Sequence, residues 1–190
     1  MKTIRSFIAI PLADDVLKGA TQLLQRVSHP GDGIKWVPSD NFHLTLKFLG
    51  EVDNTEVPDV CQTIREACQA SQPFELAFAG TGAFPDLPRA RVLWVGVDDA
   101  SGELTRLVNQ LDHKLADLGF KREARDYTPH LTLGRTKGGS RRASPEVIER
   151  LHQEAAVDLG VMQVDQMQLM ASFLDKKGPT YQVMDTIEIG

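Results

Sequence analysis

The apolar positions of this chain follow two periodicities, one typical of β-strands and one typical of α-helices. Short apolar runs bounded by turn residues predict strands, and these lie at residues 7–12, 34–37, 42–49, 74–79, 92–97, 130–133, 164–173 and 181–189. Apolar residues spaced three and four apart predict amphipathic helices, and these stripes run through residues 16–27, 57–68, 104–118 and 147–155. The alternation of the two patterns predicts an α+β fold.

Polar residues and glycine at the ends of these stripes indicate where the helices begin and end. Asp14 opens the first helix, where a carboxylate suits the positive end of the helix dipole. Ser101 is a candidate cap for the third helix, and Gly119 is placed to end it. Ser144 followed by Pro145 is typical of a helix start and predicts the fourth helix.

One tetrapeptide occurs twice, each time in a predicted strand. His43-Leu44-Thr45-Leu46 recurs 87 positions later as His130-Leu131-Thr132-Leu133. The strands that open the two halves, at residues 7 and 92, are 85 positions apart. We therefore expect one bilobal domain over residues 1–190, with a first repeat at about 1–85 and a second at about 90–190.

In each copy of the tetrapeptide, strand alternation separates the leucines from the polar pair. Successive side chains point to opposite faces of a strand, so the leucines belong to a core. The histidine and the threonine share the other face, where polar groups need partners or a solvated cleft. Because the arrangement occurs twice at the repeat distance, a functional role is favoured over a structural one, with both copies near a pseudo-twofold axis.

The paired histidines and threonines suit chemistry at phosphorus. Two imidazoles across a cleft form an acid–base pair near neutral pH, and threonine hydroxyls can bind anionic oxygens. These groups provide a base for the nucleophile, an acid for the leaving oxygen and donors for the remaining oxygens. No carboxylate cluster suits Mg²⁺, and no third His or Cys lies at zinc-ligand spacing near either copy. We therefore expect neither a metal nor another cofactor.

Composition narrows the class of protein. A chain of 190 residues, 42% hydrophobic and 25% charged, matches one globular domain and excludes the disordered and low-complexity classes. Cys61 and Cys68 are seven positions apart on a predicted helix, too far for a disulfide, so both are expected in the core. No apolar run has the length of a signal-peptide core or a membrane span. We expect a cytoplasmic protein, a monomer, with no membrane partner.

Charge is distributed unevenly along the chain. The net charge is −5, which argues against binding nucleic acid through bulk charge. Residues 121–142, called here the basic segment, carry seven basic and two acidic side chains and so a net charge of +5. A basic patch on an acidic body suits a phosphate-bearing ligand, although a solvated basic loop would have the same composition.

The two tetrapeptides resemble the paired His-x-Thr-x signature of the two-histidine (2H) phosphoesterases. Within that superfamily the chain resembles the RNA 2′,3′-cyclic phosphodiesterases (ThpR/LigT), once called 2′–5′ RNA ligases. The resemblance rests on residues 5–10, 40–50, 91–96, 129–135 and 169–172, together with Tyr181. It covers nearly the whole chain in order, and it implies two pseudo-symmetric α+β lobes whose antiparallel sheets line a central cleft.

The same resemblance implies a reaction and the residues that perform it. The reaction is hydrolysis of RNA 2′,3′-cyclic phosphate ends to 2′-phosphates without a metal. His43 would be the proton donor to the departing 3′ oxygen, and His130 the proton acceptor that activates water. Thr45 and Thr132 would hold the phosphate oxygens, and Arg135 matches the family's arginine after the second motif.

Three of the candidate substrate contacts depend on local geometry. Strict alternation would turn Arg135 away from His130, so we expect the strand to end or bulge near Gly134. Phe7 and Phe48 are candidates for stacking on a base, with a place in the core as the alternative for each. The partner implied is an RNA or a nucleotide with a 2′,3′-cyclic phosphate end.

Two alternative functions fit parts of the pattern. Ligation, in which a 2′-hydroxyl joins a 3′-end to form a 2′–5′ linkage, is the reverse reaction, and microscopic reversibility makes the same site competent for it. A non-catalytic RNA-binding protein could use the basic segment, but that function leaves the duplicated histidines unexplained. Incubation with 2′,3′-cyclic AMP separates a binding protein from an enzyme.

Overall fold

The computed structural model describes residues 1–138 and 141–190 of the chain. The strands are β1 (Thr3–Pro11), β2 (Ile34–Trp36), β3 (His43–Asp53), β4 (Phe74–Phe84), β5 (Val92–Asp98), β6 (His130–Thr136), β7 (Asp158–Val164), β8 (Gln166–Asp175) and β9 (Gly178–Glu188). The helices are α1 (Asp14–Val27), α2 (Val57–Gln69), α3 (Glu103–Asp117) and α4 (Pro145–Gln153). The predicted order of elements is confirmed, with β7 as an additional strand.

Two antiparallel sheets form the framework of the molecule. The first sheet has the strand order β3-β1-β8-β9, and the second has the order β2-β6-β5-β4-β7. In the first sheet β1 lies between β3 and β8, and in the second β5 lies between β6 and β4. Each sheet is therefore built around the opening strand of one repeat and takes two strands from the other repeat, β8 and β9 in the first sheet and β2 and β4 in the second.

This exchange of strands corrects the expected relation between repeats and lobes. The predicted boundaries, 1–85 and 90–190, divide the sequence, but neither sheet is confined to one of these ranges. The physical reason is the short connection at residues 85–91, which makes β4 and β5 antiparallel neighbours in one sheet. The repeat is a property of the sequence, and the lobes are assembled from both halves.

Each sheet is covered by one helix from each half of the chain. Helices α2 and α3 contact strands of the first sheet and form the first lobe with it, whereas α1 and α4 contact strands of the second sheet and form the second lobe. Their apolar stripes are buried, and burial of one large aliphatic side chain stabilises the fold by about 1.5–3 kcal/mol. Cys61 and Cys68 are free and buried on α2, as expected. None of the helices in the described ranges combines the length and apolar character needed to cross a membrane.

The helix boundaries follow the predicted signals with one refinement. Ser144 Oγ accepts a hydrogen bond from the backbone N–H three residues along (3.3 Å), and Gly119 follows α3 with φ 93°. At the start of α3, Ser101 Oγ accepts from the Glu103 amide (3.2 Å). The Asp99 carboxylate accepts from two further amides of that first turn, so Asp99 shares the capping role predicted for Ser101.

Strand β7 was absent from the predicted elements because its apolar pattern is interrupted. Gly160 adopts φ 95°, and the Asp158 carboxylate accepts a hydrogen bond from its amide (2.8 Å). The register of β7 against β4 shifts at this position. The strand predicted at residues 164–173 therefore corresponds to β8, while the residues before it form the edge of the second sheet.

Candidate active site

A cleft of about 620 Å³ lies between the two lobes. Strands β3 and β6 approach each other there, and each begins with one copy of the tetrapeptide. The predicted site residues that line the cleft are His43, Thr45, Phe48, His130, Thr132 and Arg135. The leucines of both copies are buried on the opposite faces of these strands, so the predicted alternation is confirmed.

The two histidines are held by equivalent backbone hydrogen bonds. His43 Nδ1 lies 2.7 Å from the Asn41 carbonyl oxygen, and His130 Nδ1 lies 2.7 Å from the Thr128 carbonyl oxygen. Because a carbonyl oxygen only accepts, each Nδ1 carries a proton, and each neutral ring has an unprotonated Nε2 that can accept a proton. His43 Nε2 also lies 2.9 Å from Thr45 Oγ1. Nε2 is therefore the atom available for proton transfer in both rings.

A β-bulge follows each copy of the tetrapeptide. Leu46 is the extra residue where β3 pairs with β1, and Leu133 is the extra residue where β6 pairs with β5. The extra residue returns Phe48 and Arg135 to the face that carries the histidines. The bulge expected near Gly134 is thus confirmed, and it explains how Arg135 reaches the cleft.

The two candidate stacking residues have different environments. Phe48 is 63% exposed in the cleft, whereas Phe7 is only 3% exposed. The Phe7 ring lies beneath the His43 ring, with centroids 4.8 Å apart, and contacts the Tyr181 ring at 5.0 Å. Of the two alternatives for Phe7, its burial matches a place in the core, where its ring packs against His43 and Tyr181.

Two aromatic residues of the cleft received no role from the sequence. Tyr181 packs edge-on against His43 with centroids 5.1 Å apart, and Phe84 packs edge-on against His130 at 4.9 Å. Tyr181 is one of the residues on which the family resemblance rests, so the sequence contained a signal for it. Phe84 ends β4, and its place beside His130 depends on strand pairing that no local motif indicates.

The pKa values of both imidazoles are lowered, by burial in both and by a nearby positive charge in His130. Burial lowers the pKa of His43, and the hydrogen bond to the Asn41 carbonyl opposes that shift. Burial also lowers the pKa of His130, the Thr128 carbonyl opposes it, and the positive charge of Arg135 lowers the pKa further. The cationic side chain therefore favours the neutral, proton-accepting form of His130.

Part of the basic segment faces the cleft. Arg122, Arg125 and Arg135 line it, together with the acidic side chains of Glu123 and Asp126. Residues 139 and 140 of the segment lie outside the described residues. Arg135 follows His130 on β6, whereas Arg122 Nε lies 3.4 Å from Asp112 Oδ2 of α3 in the first lobe. The cleft thus has guanidinium groups at both lobes, and guanidinium matches phosphate oxygens in geometry and charge.

The groups in the cleft define the chemistry open to it. Over residues 1–138 and 141–190, no cluster of three or more His, Cys, Asp or Glu side chains is placed to hold a metal ion. A neutral imidazole can accept a proton and an imidazolium can donate one, while hydroxyl and guanidinium groups can bind a phosphate. The arrangement suits transfer of two protons around a bound phosphate ester.

Comparison with known proteins gives a consistent assignment. A family model described as LigT-like phosphoesterase matches residues 10–94 and again residues 95–181. The RNA 2′,3′-cyclic phosphodiesterase of Archaeoglobus fulgidus is 37% identical over 185 residues, which cover 97% of this chain and 100% of that protein.

Two solved structures share the fold. TT0787 of Thermus thermophilus has a TM-score of 0.80 and 27% identity, and the match covers 98% of each chain. Escherichia coli LigT, solved in complex with 3′-AMP, has a TM-score of 0.78 and 23% identity over 99% of each chain. The two-lobed arrangement of antiparallel sheets is common to these proteins.

Proposed function

The chain belongs to the LigT-like phosphoesterase family, and on that premise we propose that it hydrolyses RNA ends carrying a 2′,3′-cyclic phosphate. The name of the Archaeoglobus fulgidus relative supports the substrate class. One observation carries the chemistry: His43 and His130 line one cleft in the same tautomer, each with Nδ1 bound to a backbone carbonyl and Nε2 available.

The surroundings of the two rings support different roles. Arg135 lowers the pKa of His130, which favours the neutral acceptor. His43 is assigned the proton donor, because the negative charge of a bound phosphodiester favours its protonated form against the effect of burial. Each role contributes about 10²–10⁴ to the rate of the chemical step.

The reaction is an in-line displacement with balanced proton transfers. His130 Nε2 takes a proton from water, and the water oxygen forms a bond to phosphorus. The bond from phosphorus to the ribose 3′ oxygen breaks, and His43 Nε2 gives that oxygen a proton. The product has a 2′-phosphate and a free 3′-hydroxyl, and proton exchange with solvent resets both rings.

The remaining cleft residues bind and orient the substrate. Thr45 and Thr132 share the strand faces of the histidines, where their hydroxyls donate to the non-bridging phosphate oxygens. Arg135 adds a charge-assisted contact to the phosphate, and the exposed ring of Phe48 stacks on the base. Since Arg135 and Phe48 occupy equivalent positions after equivalent bulges, this difference between the repeats orients the nucleotide in one direction.

Hydrolysis of 2′,3′-cyclic AMP, followed by phosphorus NMR against authentic 2′-AMP and 3′-AMP, tests the proposal. We expect 2′-AMP as the single product. His43→Ala and His130→Ala should each lower kcat by about 10²–10⁴, because each removes one proton-transfer group. His43→Gln keeps more bulk between Phe7 and Tyr181, and it should be as inactive as the alanine variant.

His152→Ala is the matched control, because His152 is an exposed histidine on α4 outside the cleft. It should retain the wild-type kcat and melting temperature. A 3′-AMP product would contradict the assignment, because the 2′ oxygen leaves only if either the ribose lies in the opposite orientation or the two histidines exchange roles. Binding of RNA without hydrolysis would indicate a binding protein. A 2′–5′ linked product from cyclic-phosphate and 5′-hydroxyl ends would indicate ligation, in which the 5′-hydroxyl takes the place of water.

A further inference from the structure

A buried ion pair lies next to the histidine-bearing strand of the first lobe. Lys47 follows the bulge in β3, and its side chain is only 2% exposed. Its Nζ donates to Asp112 Oδ1 at 2.7 Å, and Asp112 lies on α3 of the same lobe. The equivalent position of the second repeat is Gly134, which has no side chain, so the pair has no counterpart there.

The pair is bonded to the chain that leads from α3 to β6. We call residues 118–129 the crossing segment, because they run from the first lobe to His130 in the second. Lys47 Nζ donates to the Lys121 carbonyl oxygen at 2.9 Å, and the Glu123 amide donates to Asp112 Oδ1 at 3.1 Å. Both members of the pair therefore hold the backbone of the crossing segment.

The crossing segment is held to β3 at a second place and ends at His130, the proposed proton acceptor. Tyr127 Oη donates to the Thr45 carbonyl oxygen at 3.0 Å, and burial raises the pKa of this hydroxyl, so it stays a donor. One residue later, the Thr128 carbonyl accepts the Nδ1 proton of His130. Two hydrogen bonds, joined by the backbone between Tyr127 and Thr128, thus connect the strand of His43 to the ring of His130.

We propose that Lys47 and Asp112 are positioning residues: they clamp the crossing segment onto β3 and so set the place of His130 relative to His43. The inference rests on the proposed function, because it concerns the same two histidines. Both residues border the cleft, but their charged groups bond to each other and to the backbone of the crossing segment. Each acts through the backbone that carries the carbonyl partner of His130.

The alternative, a pair kept only for stability, is disfavoured by general energetics. Taking two charges out of water costs about as much as their attraction returns, and apolar replacements of buried pairs are often neutral for folding. The hydrogen bonds from Lys47 and the Glu123 amide do hold the pKa of Asp112 below its usual value against the effect of burial. Asp112 therefore stays an anion that can bind the segment's amide.

The test replaces both charges at once, in the variant Lys47→Met/Asp112→Leu. We expect a cooperative thermal melt, a kcat for 2′,3′-cyclic AMP lowered by about 10- to 100-fold and a KM changed by less than about threefold, because misplacement of a proton-transfer group affects the chemical step most. The single variant Lys47→Arg keeps the cation and should retain most of the wild-type kcat. Ile64→Val, a core truncation on α2 of the same lobe, is the control for lost stability and should keep the wild-type kcat.

A readout without turnover separates this inference from the proposed function. In the free protein, NMR titration of the imidazoles should show the His130 pKa rising towards its ordinary value in the double variant. A released crossing segment exposes the ring to water, and this loss of burial, the larger effect, outweighs the loss of the hydrogen bond to the Thr128 carbonyl. The His43 pKa should stay unchanged. If the wild-type protein fails to hydrolyse the cyclic phosphate, the proposed function is wrong, and this titration still decides the positioning role.

Tyr127→Phe removes the hydroxyl that holds the crossing segment to the Thr45 carbonyl, and it tests the proposal if the double variant does not fold. It should lower kcat by about three- to tenfold, with the same upward direction of the His130 shift. A folded double variant with wild-type kcat and an unchanged His130 titration would overturn the proposal. So would a folded Tyr127→Phe protein with both properties unchanged.

Discussion

Gly134→Ala would add a methyl group where β2 runs closest to β6. The added Cβ would lie 2.8 Å from Ile34 Cγ2, 2.9 Å from Trp36 Cε3 and 3.1 Å from the Lys35 carbonyl oxygen. These neighbours are fixed, because Ile34 is buried and Trp36 Nε1 donates to the Asp32 carboxylate at 2.9 Å. Strand β2 must therefore move away from the bulge in β6.

The expected magnitude follows from two opposing effects. Overpacking a well-packed site costs about 1–3 kcal/mol, and replacing a strand glycine by alanine returns about 0.5–1 kcal/mol. With central values of about 2 and about 0.75 kcal/mol, the net loss is about 1 kcal/mol of unfolding free energy, which lowers the melting temperature of a domain of this size by about 2–4 °C. Because the bulge turns Arg135 into the cleft, kcat/KM for 2′,3′-cyclic AMP should fall as well.

Thermal melts and hydrolysis rates, measured well below the melting transition, check this prediction. Gly19→Ala is the matched control. The three atoms nearest to its added Cβ all belong to Leu159, with the side-chain end Cδ2 at 3.2 Å and Cβ and Cα at ordinary contact distances of 3.6 and 3.7 Å. A helix also favours alanine over glycine by about 1 kcal/mol. It should keep both stability and kcat/KM. Arg135→Ala should lower kcat/KM alone. A Gly134→Ala protein with wild-type stability and kcat/KM would refute the reasoning about the bulge.

Three further predictions concern the chemistry. The double variant His43→Ala/His130→Ala should be little slower than the slower single variant, because the two rings act as one unit, and multiplied losses would indicate independent roles. The kcat/KM profile of the wild-type enzyme should be bell-shaped in pH, and Arg135→Gln should move the His130 limb to higher pH by removing the cation that lowers its pKa; an unmoved limb in this variant contradicts the assignment. Finally, EDTA should leave the rate unchanged, and a loss that a divalent metal restores would show that a metal takes part.

The sequence predicted the site where local pattern and site geometry coincide. The tetrapeptide placed His43, Thr45, His130 and Thr132 on equivalent strand faces, and the structure brings all four to one cleft. Alternation even predicted an irregularity before Arg135, because a regular strand would have turned that side chain away. These features depend on residues only a few positions apart, so the sequence around each motif was sufficient.

The remaining features depend on contacts between distant segments. Phe7 and Phe48 looked alike in sequence, yet one is covered by His43 and Tyr181 and the other is open. Asp112 lies within the helical segment predicted at residues 104–118, and only the fold places it against Lys47. Strand exchange between the sheets determines which residues meet, and no periodicity within one segment indicates it.

Because each lobe is built from both halves of the chain, the connections between the lobes also limit how the lobes can move. Over the described residues the chain passes between them six times, from β1 to α1, from β2 to β3, from α2 to β4, from β5 to α3, from α3 to β6 and from β7 to β8. A hinge motion that narrowed the cleft would have to bend all of these connections together, whereas hinged proteins usually bend at a few residues. We therefore expect a preorganised gap whose width is nearly the same with and without nucleotide, so that discrimination between substrates depends on fit to a rigid opening.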